Sequence, residues 1–243
     1  MRSRMTQPFP GRRRTIWHCD SAILERATAP DTTKPPVSSV TFASFYVYSP
    51  RAEGWGGESS RAMCERVKAR HPLWLPRYAG SVYRSSLQDR ELASLFCRGA
   101  ALVPVPGSAR TSDASWTALE LAVVLSEVGF SLPVWIGLRR RYAVTKSATA
   151  ARAARPSVFQ HYDSFAATPA VLPMQRIVLV DDVITKGRTL LAAAARLRSV
   201  LPDADIRAFA LIRTQGFAYR IEHLVEPCHG VIRWAGGDAR REP

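Results

Sequence analysis

Residues 177–189, IVLVDDVITKGRT, constrain this chain more than any other stretch. Four consecutive apolar residues bounded by loop signals suit a parallel strand covered on both faces. Open α/β sheets place ligands at the carboxyl ends of such strands, so Asp181 and Asp182 are expected at the mouth of a site. Adjacent strand residues diverge. One carboxylate can then accept hydrogen bonds from vicinal hydroxyls while the other engages a sugar hydroxyl or a hydrated metal ion. The residues that follow, Thr185, Lys186, Gly187, Arg188 and Thr189, lead into the start of a helix. Backbone N–H groups in such a turn, together with the helix dipole, form an anion site, and the hydroxyls and Lys186 strengthen it. A diol site beside a monophosphate site describes a phosphorylated pentose.

The rest of the chain supplies the frame. The alternation at 40–49, VTFASFYVYS, predicts a half-buried strand at a cap or sheet edge, followed by a turn at PRAEGWGG. Ser59 or Ser60 is a candidate cap for a helix running to Arg70, and a second helix is expected from Ser86 to Cys97. ALVPVP at 101–106 reads as a strand, 113–128 as a helix capped by Asp113 and closed by Gly129, and PVWIGL as another buried strand. After Arg176 come the strand IVLVDD, a loop, a helix at 189–200 and the strand IRAFALIR. Strand and helix alternating through short connections imply one α/β unit with a mostly parallel, twisted sheet.

Charge narrows the partners. The formal net charge is +14, and 30 of the 34 basic residues are Arg. That balance favours polyanions, either phosphorylated ligands or nucleic acid, although an Arg- and Ala-rich coding bias produces the same ratio. Residues 1–36 read as a basic arm with a Pro-rich end, without the apolar core of a secretory signal. The segment 139–160 carries five Arg, one Lys and no acid, and reads either as a mobile basic loop with a short helical piece or as a solvated helix. No apolar run approaches the ~20 residues of a membrane span. Four cysteines without a CxxC pair fit a reduced, cytoplasmic setting.

The 177–189 stretch closely resembles the phosphoribosyl-pyrophosphate (PRPP) signature of the type I phosphoribosyltransferases. The resemblance implies a Rossmann-like type I phosphoribosyltransferase fold, its mostly parallel central sheet flanked by helices, with a small N-terminal cap, or hood, over 37–98. A PRPP-binding core over 99–215 and a C-terminal extension over 216–243 complete it. It further implies that Asp181 and Asp182 bind the ribose hydroxyls and Mg2+, while Thr185, Lys186, Gly187, Arg188 and Thr189 wrap the 5-phosphate. VPVPGSART is similar to the family's pyrophosphate loop, which sets Gly107, Ser108, Ala109 and Arg110 beside the diphosphate and its magnesium. The basic segment resembles the loop that closes over the reacting centre, with Lys146, Arg152 and Arg155 as its catalytic cations.

A finer likeness is to the ComF competence-protein branch, carried by VPVP, the Arg-rich segment ending in a Phe, and YSPRAEGWGGESSRAMCERVK. Three departures stand out: that branch's amino-terminal zinc-binding cysteines are missing, the pyrophosphate loop is shorter, and Lys186 and Arg188 replace small or hydroxylic residues. Two functions follow from the resemblance. The first is a magnesium-dependent phosphoribosyl transfer to a nitrogenous acceptor. The second is a non-transferase that binds PRPP, nucleotide or nucleic acid in DNA uptake or as a retron-type antiviral defence effector. Expected partners are the phosphorylated ribose or nucleotide, nucleic acid through the basic surface, and another copy or another protein, with no membrane. For the acceptor, Phe217 or Tyr219 is a candidate stacking residue, with at least one of the two expected in the core.

Overall fold

A computed structural model of the chain describes residues 16–17, 37–109, 115–145, 155–168 and 176–243. The strands are β1 (Ile16–Trp17), β2 (Ser39–Tyr48), β3 (Ala100–Pro104), β4 (Val134–Trp135), β5 (Leu138–Arg140), β6 (Phe165–Ala167), β7 (Arg176–Ile184), β8 (Asp205–Thr214), β9 (Val225–Ala235) and β10 (Asp238–Glu242). The helices are α1 (Gly54–Lys68), α2 (Trp74–Ser86), α3 (Arg90–Leu95), α4 (Thr117–Leu125), α5 (Val158–Ser164) and α6 (Arg188–Arg198), with a π-helical turn, Ser126–Phe130, extending α4. Eight of these strands form one sheet in the order β1-β4-β3-β7-β8-β2-β9-β10. All its pairs are parallel up to β2, and β9 and β10 are antiparallel. The protein is thus α/β, with a mostly parallel central sheet flanked by helices, a layout compatible with a Rossmann-like fold.

The apolar run of β7 explains its central place. Ile177 and Leu179 join a core with α5 and α6, while Val178 and Val180 join the opposite core with α1, α2, α3 and α4. The period-2 alternation of side chains buries both faces of one strand. The same holds for β2, where residues 42–47 are all buried. It is therefore an interior strand between β8 and β9, not a cap or edge. No described helix is long and apolar enough to cross a membrane.

Several elements differ from the sequence expectations. Helix α1 begins at Gly54, inside the expected turn. A Cβ at Gly56 or Gly57 would lie 2.0 Å from the carbonyl oxygen of Ile221 or Ala52, so these glycines serve close packing and not chain reversal. Helix α2 occupies 74–86, before the helix expected at 86–97, which is the shorter α3; Pro76 falls in the first turn of α2 and displaces no helical hydrogen bond. The left-handed residue after α4 is Ser131, at φ 53°, and not Gly129. PVWIGL is divided: Gly137 N–H bonds back to the Trp135 carbonyl at 2.9 Å, and β5 leaves to form a separate hairpin with β6. The chain from Val225 onward, which gives no clear strand signal, forms the β9–β10 hairpin.

Candidate functional site

Strand β7 outruns one neighbour. On the β3 side the pairing ends at Pro104 and Val180, with Val105 N–H donating to the Val180 carbonyl at 2.9 Å. On the β8 side it continues through Asp181 and Val183 to Ile184. Asp181 and Asp182 are therefore not the last residues of the strand, as expected, but stand where one edge has opened. Asp182 N–H donates to Asp181 Oδ1 at 3.0 Å. Burial and the adjacent Asp182 carboxylate push Asp181 well above the usual carboxylate range, and the nearby Arg140 charge offsets part of this. The buried Cys64 of α1 lies within electrostatic reach of Asp182, and its thiol is pushed up mainly by burial.

The turn into α6 follows within three residues. Thr185 and Lys186 are exposed, and Gly187 is buried at φ 85°, where a Cβ would meet Ile232 of β9 at 2.7 Å. Only glycine meets both demands. No side chain caps the helix, so its first N–H groups remain available to a ligand. The hydroxyls of Thr185 and Thr214 lie 3.2 Å apart.

The two extra cations of this turn have a partner that the sequence did not reveal. Asp238, at the start of β10, receives Arg188 through Nε at 2.5 Å and Nη2 at 2.7 Å, and Lys186 Nζ at 2.9 Å. These bonds outweigh partial burial and hold the Asp238 carboxyl down at about 2. Arg241 of the same strand donates to the carbonyls of Ile184 and Thr214 at 3.2 and 2.9 Å. The hairpin thus folds back over the turn.

The Gly107 loop is held from behind. Arg140 Nε donates to the Gly107 carbonyl, and Val144 N–H to the Ser108 carbonyl at 2.8 Å. In a trans peptide the N–H points opposite to the C=O. The N–H groups of Ser108 and Ala109 consequently face away from the basic segment that holds the carbonyls. Arg140, only 3% exposed, also donates to Ser164 Oγ and, through Nη2, approaches His161 Nδ1 at 3.1 Å. Its guanidinium lies 4.3 Å from the Phe165 ring centroid. Since Arg carries only donors, His161 Nδ1 accepts, and the neutral ring bears its hydrogen on Nε2. That hydrogen faces Thr189 Oγ1 at 3.4 Å, leaving the Thr189 hydroxyl proton free to turn elsewhere.

The structure therefore brings together Asp181, Asp182, Thr185, Lys186, Gly187, Arg188 and Thr189, and ties Gly107 to them through Arg140 and His161; Ser108 and Ala109 follow on the same loop. Arg155 is exposed, and its carbonyl receives Arg188 Nη1 at 3.4 Å. Arg110, Lys146 and Arg152 lie outside the described residues. Phe217 and Tyr219 are both exposed, at 84% and 66%, so neither is a core residue. Sequence reasoning missed Arg140, His161 and Asp238. Arg140 sits within an Arg triplet, and a lone His or Asp carries no spacing signal.

Among the described residues no cluster of three or more His, Cys, Asp or Glu side chains could hold a metal ion. Two adjacent carboxylates instead suit Mg2+, which keeps waters and shares its remaining positions with ligand phosphates. Searches against family models and against curated proteins each find no match to this chain.

Proposed function

We propose that this protein binds a phosphorylated ribose, PRPP foremost, together with Mg2+, and transfers its phosphoribosyl group to a nitrogenous acceptor with release of pyrophosphate, as type I phosphoribosyltransferases do. The observation that carries the reading is the open carboxylate pair followed, within one turn, by a left-handed glycine and an uncapped helix. The carboxylates accept the ribose hydroxyls, and the helix start receives the 5-phosphate. At C1 the bond to pyrophosphate breaks, a bond to the acceptor nitrogen forms, and the nitrogen's proton is released to solvent. Mg2+, when bound, neutralises charge on the leaving diphosphate. The N–H groups of Ser108 and Ala109 offer further fixed donors for that charge, which need no reorganisation during the reaction.

Titration calorimetry with PRPP and Mg2+, run beside a pyrophosphate-release assay with pooled nucleobases, tests this. Replacing Asp181 and Asp182 with Asn is expected to lower affinity at least tenfold, the scale of one lost charge-assisted hydrogen bond. Unchanged affinity in the double variant would remove the assignment.

A second reading has its own observation. The two cations of the phosphate turn are already engaged by Asp238, and the chain carries a net charge of +14. Binding without pyrophosphate release would favour a nucleotide- or nucleic-acid-binding protein, acting in DNA uptake or as a retron-type defence effector, over a transferase.

A further inference from the structure

The β9–β10 hairpin does more than cover the phosphate turn: it leaves a cavity of about 330 Å3 against it, whose lining includes Thr185, Lys186, Asp238, Arg240 and Arg241. We propose that this cavity takes a second phosphate in anhydride linkage to the 5-phosphate, so that a nucleoside 5′-diphosphate is held more tightly than the corresponding monophosphate. The proposal rests on the reading of 185–189 as the 5-phosphate turn.

Three observations support it. Thr185 and Lys186 belong both to the turn and to the cavity wall, so no residue separates a phosphate on the turn from the space beyond. The wall has three cations against one carboxylate, and that carboxylate is shared between Lys186 of the wall, at 2.9 Å, and Arg188 outside it, which grips both oxygens. What faces the cavity is accordingly a surplus of positive charge, suited to a polyanion. The cations are also differently anchored. Arg241 is fixed by two backbone carbonyls, whereas the Lys186 and Arg240 side chains are 51% and 74% exposed, and Arg240 has only a 4.0 Å approach to Glu242. One rigid donor, one adjustable donor and Lys186, which is shared with Asp238, can meet an incoming phosphate. A site built only for a monophosphate has no use for them.

Calorimetry with adenosine 5′-monophosphate and 5′-diphosphate on the full chain tests the idea. The diphosphate is expected to bind about tenfold more tightly, the equivalent of one charge-assisted hydrogen bond. Arg240→Gln should cut that ratio to about twofold, through loss of that bond, and leave monophosphate affinity unchanged. Arg98→Gln, just before β3 at the opposite end of the sheet, should leave the ratio intact, which separates a local site from the general attraction of a basic protein. Equal affinity for the two nucleotides, or a ratio that survives Arg240→Gln, or one that falls equally in Arg98→Gln, overturns the proposal. Failure of both nucleotides to bind, with no effect of the Asp181 and Asp182 substitutions, instead overturns the underlying reading of the turn.

Discussion

Protonating His161 would set an imidazolium beside the Arg140 guanidinium, 3.1 Å away, at a position only 4% exposed. Burial first, and then the charges of Arg140 and Arg188, lower its pKa from 6.5 to about 3. Above 6.5 neither the folded nor the unfolded chain is charged at this residue. Below 6.5 the unfolded chain takes up a proton that the folded one refuses until about 3. Stability is therefore full above 6.5 and declines as pH falls through that window, by about 1 kcal/mol per pH unit. His161→Gln retains one acceptor for Arg140 and one donor for Thr189 but does not titrate. Urea unfolding across the window is expected to show a shallower pH slope in the variant than in the parent. Parallel slopes would mean that His161 does not have this role. Nothing in the sequence distinguishes this histidine, because its meaning depends on an arginine 21 residues away that the β5–β6 hairpin folds back onto it.

At the scale of elements, the tie between the β10 strand and the turn into α6 is electrostatic and has its own pH window. Asp238 titrates at about 2 in the folded chain and at 3.8 when unperturbed. A depressed carboxylate contributes stability above 3.8, and loses it as pH falls toward about 2. With the carboxylate and its partners partly exposed, solvent screening reduces the contribution to about 1 kcal/mol. Asp238→Asn should cost that much at about pH 7, and the difference should vanish near the folded pKa. A second element-scale test is Gly187→Ala. The left-handed backbone and the 2.7 Å approach of Ile232 together predict a loss of about 2–4 kcal/mol by denaturant titration. A loss below about 1 kcal/mol would mean that the turn relaxes.

These elements also show what the chain discloses in advance. Strands β7 and β8 and helix α6 are legible because apolar runs of one period bury on both faces. The hairpin β9–β10 is not legible, since β9 is exposed or half-buried everywhere but Ile232 and its partner β2 lies far away in the chain. Nor is the division after Trp135, where a ring packed against Gly137 decides the path. Asp181, Asp182 and the turn were visible as local chemistry. Asp238, which pairs with two of the turn's cations, could be seen only once tertiary contacts were known.

For the whole molecule the dominant quantity is its charge. A surplus of 14 positive charges, most of them Arg, should attract single-stranded nucleic acid irrespective of sequence. Trp55, Phe217 and Tyr219 offer exposed aromatic faces, and Arg51 lies 5.7 Å from the Phe217 ring centroid. If about four phosphates are neutralised, affinity for an oligonucleotide should fall about 50-fold between about 50 and about 200 mM salt. Asn at both 181 and 182 should leave this unchanged, because those carboxylates belong to a different recognition event. A flat salt response would remove nucleic acid from the partners.

The 3.0 Å bond from Asp182 N–H to Asp181 Oδ1 has a spectroscopic consequence. An amide proton shared with a carboxylate resonates far downfield and moves upfield when that carboxylate takes up a proton. The single amide resonance of Asp182 is thus a built-in indicator of whether its neighbour is charged. It allows the charge state of the carboxylate pair to be followed by NMR without any ligand present.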